Sequence, residues 1–229
     1  MEWRKYYKNN LMSAEEAVDA VIKDGDTVSI GGLAIAKKTS MAMFEKIKNG
    51  KLKNITLDGN LITDELPLED KSLIKNGFRY KCWFLGGFER QGVKAGTTTM
   101  VPLQFVNFDR LYKKINLDVG ILNVSPPNED GYCNVGPIGP GFMSVVAKTS
   151  KRLIGQVNKN MPRACGDPSL DVHVTKFNAI VEEDSPIPIY PIDEITEIDK
   201  KIANNIIDLI PDEATIQLGL GKIDRKSVV

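Results

Sequence analysis

One order of elements recurs in this chain and narrows its fold more than any other feature: an amphipathic helix, a short apolar strand, then a glycine-bearing turn. Ser13-Ala14-Glu15-Glu16 has the form of a capping box, in which the Ser13 hydroxyl accepts from the Glu16 amide and the Glu16 carboxylate reaches back. The helix that follows carries Ala17, Val18, Val21 and Ile22 on one face and ends at Gly25-Asp26. Thr27-Val28-Ser29-Ile30 reads as a buried strand, and Gly31-Gly32-Leu33-Ala34 as the turn after it. Ser40 is the expected N-cap of a second helix running to Lys48 and closed by Asn49-Gly50, and Ile55-Thr56-Leu57 is the next strand. Helices alternating with strands predict an α/β domain, a parallel-rich open sheet with flanking helices.

The middle of the chain continues the pattern. Tyr80-Lys81-Cys82-Trp83-Phe84 is a strand, and Gly86-Gly87-Phe88-Glu89-Arg90-Gln91-Gly92 reads as a connection after it. Leu117 to Val124 is mostly apolar, as a strand covered on both faces must be. It runs into Ser125-Pro126-Pro127, whose prolines forbid further pairing. A helical stretch around Phe142 to Ser150 and a strand from Arg152 to Val157 follow the Gly136-Pro137-Ile138-Gly139-Pro140-Gly141 segment. Ligands of open α/β sheets gather beyond the carboxyl ends of the strands, so a site is expected at these turns.

Composition excludes several functions. Among 229 residues, 30 basic and 30 acidic side chains balance, which gives no electrostatic reason to expect nucleic acid or an anionic membrane as partner. The single histidine, His173, lies in the strand-like Asp171-Val172-His173-Val174-Thr175, and no G-x-S-x-G elbow accompanies it. Cys82, Cys133 and Cys165 are widely separated, so neither a zinc knuckle nor a dithiol site is encoded and no metal is expected. No apolar run is long enough to cross a bilayer, and the charged N-terminus lacks the apolar core of a secretory signal. The expected location is the cytoplasm.

After an acidic, proline-rich segment at 182–193 the opening pattern returns. Thr196 can cap a helix with Ile198, Ile202, Ile206 and Leu209 on its apolar face, and Thr215-Ile216-Gln217-Leu218 is an expected strand running into Gly219-Leu220-Gly221. The chain therefore divides into an N-terminal α/β domain over 1–190, the start of a second, truncated α/β domain over 191–223, and a tail over 224–229. Asp224-Arg225-Lys226-Ser227-Val228-Val229 translates the common sequencing-adapter string GATCGGAAGAGCGTCGTG and is read as foreign to the protein.

Several motifs carry a family resemblance. Trp3-x-x-Tyr6-Tyr7, Met12 to Val18, Ile22 to Asp26, Ser125-Pro126-Pro127 with Gly131-Tyr132, Asn158-x-x-Met161-Pro162-Arg163 and Gln217 to Gly221 stand in the order found in the acetyl-CoA hydrolase/transferase family, which includes acyl-CoA:carboxylate CoA-transferases. The resemblance implies two similar α/β domains with the active site between them. It implies a glutamate of the second domain as nucleophile, attacking an acyl-CoA thioester and then carrying CoA as a glutamyl thioester. That glutamate is expected beyond this chain, so no catalytic residue is assigned within it. A coenzyme A thioester is expected as substrate and no bound cofactor; the partners are acyl-CoA and a short-chain carboxylate such as acetate. A homo-oligomer of the full-length protein, an acyl-CoA hydrolase and a stand-alone binding domain remain open.

By the same resemblance Gly219, Leu220, Gly221, Lys222 and Ile223 form the CoA-contacting turn, with Lys222 where the family has a glycine. Gly31, Gly32, Gly136, Gly139, Gly141 and Arg163 are the candidate substrate-pocket residues. Backbone amides at glycine turns suit a developing oxyanion, because nothing blocks close approach. Pro137 and Pro140 remove two amides from the 136–141 segment, which suits a rigid wall better than a phosphate cradle. Arg163 matches a substrate carboxylate bidentately; a surface ion pair is its other reading.

Overall fold

Seven parallel strands carry the fold, described by a computed structural model for residues 2–137, 142–189 and 195–217. Two helices come first, α1 (Glu2–Asn9) and α2 (Ala14–Val21). Ser13 and Glu16 cap α2 reciprocally, with Ser13 Oγ accepting from Glu16 N at 3.2 Å and Glu16 Oε2 accepting from Ser13 N at 2.8 Å. Then follow β1 (Thr27–Leu33), α3 (Lys37–Lys48), β2 (Thr56–Ile62), the short α4 (Ser72–Lys75), β3 (Arg79–Cys82), α5 (Gly87–Ala95), β4 (Thr98–Met100) and α6 (Phe108–Tyr112). The chain continues through β5 (Val119–Val124), β6 (Tyr132–Asn134), α7 (Ser144–Thr149), β7 (Arg152–Val157), β8 (Asp171–His173) and β9 (Ala179–Glu182).

The large sheet has the order β4-β3-β2-β1-β5-β7-β9, and β6 pairs antiparallel with β8 in a small second sheet. Every residue of β5 is buried, which the apolar run at 117–124 required of a central strand. Burying each Val, Leu or Ile side chain there is worth about 1.5–3 kcal/mol before entropy is charged against it. Phe44 and Phe78 meet edge to face at 5.3 Å between centroids over the β2 side of the core. On the other side the Phe177 ring lies against the Cα of Gly155 in β7, where a Cβ would come within 2.9 Å of it. His173 ends β8, its Nδ1 at 2.8 Å from Thr175 Oγ1 and its Nε2 at 3.2 Å from the Asp130 carbonyl, so one ring nitrogen serves the local turn and the other the loop before β6.

Three expectations of local structure are corrected. Gly31 and Gly32 belong to β1 itself, whose pairing with β2 shifts register between Ser29 and Gly31 and again between Gly32 and Leu33. The helix placed after a Ser40 cap begins four residues earlier, with Ala36 at the N-cap and Ser40 buried inside it. Ala36 has no capping side chain; Gln156 of β7 supplies the acceptor, its Oε1 taking the Thr39 amide at 3.0 Å and the Thr39 hydroxyl at 2.9 Å. A partner 117 residues away has replaced the local cap. Gly86 to Gly92 is mostly helix rather than a connection, because Glu89 accepts from the Gly86 amide at 3.0 Å and caps α5.

The chain divides into compact units at Met1–Pro188 and Ile189–Val229. In the second unit α8 spans Glu197–Ile207, and Thr196 with Asp199 forms its capping box. Thr215 to Gln217 are not in a strand, contrary to the pattern read there, and Leu218 lies outside the described residues. A strand needs a neighbour to satisfy its amides and carbonyls, and a four-residue propensity run does not supply one.

Candidate active site at the carboxyl crest of the sheet

The chain enters the sheet at its centre. β1 is joined on one side by β2, β3 and β4, and the chain then returns to lay β5 on the other side, so strand order reverses between β1 and β5. Their register pairs are Val28 with Val119 and Ser29 with Gly120, after which the strands part. β5 and β7, by contrast, stay in register from Val119–Arg152 to Val124–Val157. The crevice opened by such a reversal, beyond the carboxyl ends of the strands, is where open α/β sheets bind ligands.

The loop that closes this crevice, Leu33 to Ala36, is strained and clamped. Leu33 has φ 54°, a left-handed value unusual for a leucine. Asn123 of β5 donates its Nδ2 to the carbonyls of Ala34 at 3.4 Å and Ile35 at 3.2 Å. Gln156, in register with Asn123 on β7, holds the first turn of α3 at Thr39. The other ends of these carboxamides, Asn123 Oδ1 and Gln156 Nε2, are buried without a hydrogen-bond partner among the described residues. The helix begins here with first-turn amides that have no intrahelical carbonyl and with the positive end of its dipole. Such a terminus favours a carboxylate or a developing oxyanion. Burial raises the pKa of Asp64, while Lys37, at 3.9 Å, opposes that shift.

Gly31 and Gly32 stand at this crest for steric reasons. A Cβ on Gly31, where φ is +73°, would fall on the Met143 sulfur, and one on Gly32 would fall on the side chain and carbonyl of Asn60. Behind Gly31 lies a buried polar chain. Gly31 N donates to Ser29 Oγ at 3.3 Å, Ser29 Oγ is 3.2 Å from the Tyr112 hydroxyl, and Tyr112 donates to Asp58 Oδ1 at 2.8 Å. Burial pushes the Asp58 carboxyl up to about 7, against the opposing pull of the Tyr112 hydroxyl and of Lys81.

Gly136 and Arg163 gather in a second group on the far flank of β5. Gly136, with φ +73°, gives its amide to Asn134 Oδ1 at 2.9 Å, and the same oxygen accepts from Ala164 N at 2.9 Å. Arg163 donates to Ser125 Oγ at 3.2 Å, to the Tyr132 carbonyl at 3.1 Å and to Asp171 Oδ1 at 2.8 Å. Its guanidinium thus ties the two ends of the 125–132 loop to β8. The Trp3 and Ser125-Pro126-Pro127 motifs also meet, across a cleft of about 440 Å³ lined by Trp3, Tyr7, Pro126, Pro127 and Val157. Trp3 Nε1 donates to the Glu129 carbonyl at 3.2 Å, so α1 holds this loop from outside. Gly139, Gly141 and the turn Gly219, Leu220, Gly221, Lys222 and Ile223 lie outside the described residues.

Asn123, Gln156, Asp58, Tyr112 and Glu89 escaped sequence reasoning. Their signal was available in part: a lone polar residue inside an apolar strand, as in Val119-Gly120-Ile121-Leu122-Asn123-Val124, must find a buried partner. Which partner it finds is not local information.

Relatives of known identity frame the site. Residues 1–205 match the acetyl-CoA hydrolase/transferase N-terminal domain. The chain is 30% identical over 232 residues to the butyryl-CoA:acetate CoA-transferase of Anaerostipes caccae, covering 96% of the chain and 50% of that protein. It is 31% identical over 229 residues to the 4-hydroxybutyrate coenzyme A transferase of Clostridium kluyveri, covering 97% and 51%. The crystal structure of RipA from Yersinia pestis superimposes with a TM-score of 0.86 at 26% identity, over 99% of this chain and 54% of that one. A 4-hydroxybutyrate CoA-transferase from Porphyromonas gingivalis gives 0.74 at 27% identity, over 96% and 51%. The chain spans about half the length of these relatives. With nine-tenths of its residues matched to that domain and its sheet shared with these structures, the chain belongs to the acetyl-CoA hydrolase/transferase family.

Proposed function

We propose that this chain provides the N-terminal domain of an acyl-CoA:carboxylate CoA-transferase, with its clamped β1–α3 crest forming one wall of the acyl pocket. The observation that carries the reading is the match of residues 1–205 to the family's N-terminal domain, together with relatives named as CoA-transferases. In this reading a glutamate carboxylate outside the domain attacks the thioester carbonyl. The C–S bond breaks, CoA leaves as thiolate, and an acyl-glutamyl anhydride remains. The thiolate then attacks the glutamyl carbonyl, releasing the first carboxylate and leaving a glutamyl-CoA thioester. A second carboxylate, of the acetate class, reverses the sequence and departs as the new acyl-CoA.

Each tetrahedral step places negative charge on a carbonyl oxygen. The α3 N-terminus, held at Thr39 by Gln156 and behind a loop held by Asn123, offers donors already aimed and needing no reorganisation. Gly31, Gly32 and Gly136 let the backbone beside the acyl wall pack directly against Met143, Asn60 and Met161; Gly139 and Gly141 are proposed for the same wall. Gly219 to Ile223 would contact CoA. Arg163, already bonded to Asp171, Ser125 and Tyr132, serves here by fixing the 125–132 loop beside the pocket.

The test is exchange of CoA from butyryl-CoA to acetate, followed by chromatography of the thioesters. The chain alone is expected to show no turnover, and borohydride trapping should leave every glutamate from Glu2 to Glu213 unmodified. Joined to the C-terminal half of the Clostridium kluyveri relative, it is expected to exchange CoA. Turnover by the chain alone, or a folded, CoA-binding hybrid without exchange, overturns the proposal.

A further inference from the structure

We propose that Tyr112 is a positioning residue for the crest: through Ser29 it fixes the amide of Gly31, and Asp58 anchors it from the opposite side. The inference deepens the transferase reading and rests on it for any consequence in catalysis, but not for the geometry.

The argument is one of hydrogen-bond direction. Ser29, Asp58 and Tyr112 are all essentially inaccessible to solvent. Asp58 Oδ1 lies 2.8 Å from the Tyr112 oxygen and receives its hydrogen. The Tyr112 oxygen, its own hydrogen committed, accepts from Ser29 Oγ at 3.2 Å. Ser29 Oγ in turn receives the Gly31 N–H at 3.3 Å. Every donor therefore points the same way, from backbone amide to carboxylate, and each bond polarises the next. Ser29 and Asp58 are register neighbours on β1 and β2, so the sheet itself holds the two ends of the hydroxyl bridge together.

The far end of this chain is the irregular point of β1. Pairing passes from Ser29–Asp58 directly to Gly31–Gly59, and Gly31 takes φ +73°. A bulge leaves such an amide poorly served by the ladder, and the Ser29 hydroxyl meets it instead. The aromatic shell keeps Tyr112 in place: its ring lies 4.7 Å from Trp83 and 4.4 Å from Phe108, centroid to centroid. Lys81, the register neighbour of Asp58 on β3, is the cation facing the carboxylate, and Tyr80 is the other titratable group in electrostatic reach of Tyr112. The raised Asp58 carboxyl brings its ionisation near neutral pH, so the state of the anchor can be changed without unfolding the protein.

The experiment follows the Gly31 amide by NMR in the intact chain while pH is varied from 5 to about 9, alongside the Asp58 side-chain carbonyl. In the unmodified chain both are expected to titrate with one midpoint. In Tyr112→Phe the Asp58 carbonyl should still titrate while Gly31 no longer does, because Ser29 keeps the Gly31 amide but loses its link to the carboxylate. In Ser29→Ala, which removes the acceptor itself, the Gly31 amide should also exchange with solvent about tenfold faster, the factor for one ordinary hydrogen bond. Ser29→Ala should give the same titration pattern with the tyrosine intact, and Asp58→Asn should abolish both titrations. A merely structural tyrosine would lower stability without selectively uncoupling Gly31 from Asp58. A Gly31 amide that titrates equally in Tyr112→Phe and Ser29→Ala, or is flat in the unmodified chain while Asp58 titrates, overturns the proposal. Turnover is not read, so failure here is distinct from failure of the transferase assignment.

Discussion

Glu89→Gln isolates a single buried charge whose role the structure defines closely. Glu89 is fully buried at the start of α5. One carboxylate oxygen accepts from the Ile62 amide at the end of β2 at 2.6 Å, and the other from the Gly86 amide at 3.0 Å. Burial raises its pKa, and these amide donors oppose that shift. Glutamine keeps the size and one acceptor but turns a donor toward the second amide. An unsatisfied buried donor costs about 1–3 kcal/mol, and the lost favourable charge at a helix N-terminus about 0.3–1 kcal/mol. Relief of the buried charge's desolvation offsets part of this, leaving about 2 kcal/mol. For a chain of this size that lowers Tm by about 4–8 °C, read by calorimetry at pH 8. Glu69→Gln, at an exposed position, should leave Tm unchanged. A Glu89→Gln protein as stable as the parent would refute the assignment of two amide donors to this carboxylate.

Other perturbations test the remaining parts of the fold. Asp58 has a folded pKa raised to about 7 from an ordinary 3.8, so its contribution is fully present below the lower value and is lost as pH rises through the upper. About three units correspond to about 4 kcal/mol, and urea unfolding of Asp58→Asn should show this loss removed, with the variant more stable than the parent at pH 8. Arg152 donates to the Val21 carbonyl and to Asp26 Oδ1 at 2.9 Å, joining β7 to the α2–β1 turn. Arg152→Ala leaves Asp26 nearly buried without its ion-pair partner, and the urea midpoint should fall by the equivalent of about 3 kcal/mol with unchanged slope. Gly32→Ala should cost about 1–3 kcal/mol because the Asn60 carbonyl cannot move aside, whereas Gly87→Ala, with open space at its Cβ, should stabilise α5 by about 0.5–1 kcal/mol in the same assay.

Local and periodic features were legible in the residues themselves. The capping box at Ser13, the Thr196 cap, the mostly apolar β5 and the helix–strand alternation depend on neighbours a few residues apart, and they fold as their patterns require. The family also follows from sequence, because its motifs are short and ordered along the chain. What tertiary structure alone decided is how the buried polar groups are satisfied. Ser40 has the chemistry of a cap, yet α3 starts at Lys37 because Gln156, far along the chain, presents a better-placed acceptor to Thr39. Gly31 and Gly32 read as a turn, yet they finish a strand, because the bulge against β2 and the packing of Met143 and Asn60 leave no room for side chains there. Asp58 and Tyr112, 54 residues apart, share a buried hydrogen bond that no spacing rule could foretell. A hydrophobic pattern specifies which face of an element turns inward, whereas a buried hydrogen bond is specified only once sheet order brings donor and acceptor within 3 Å or so of each other.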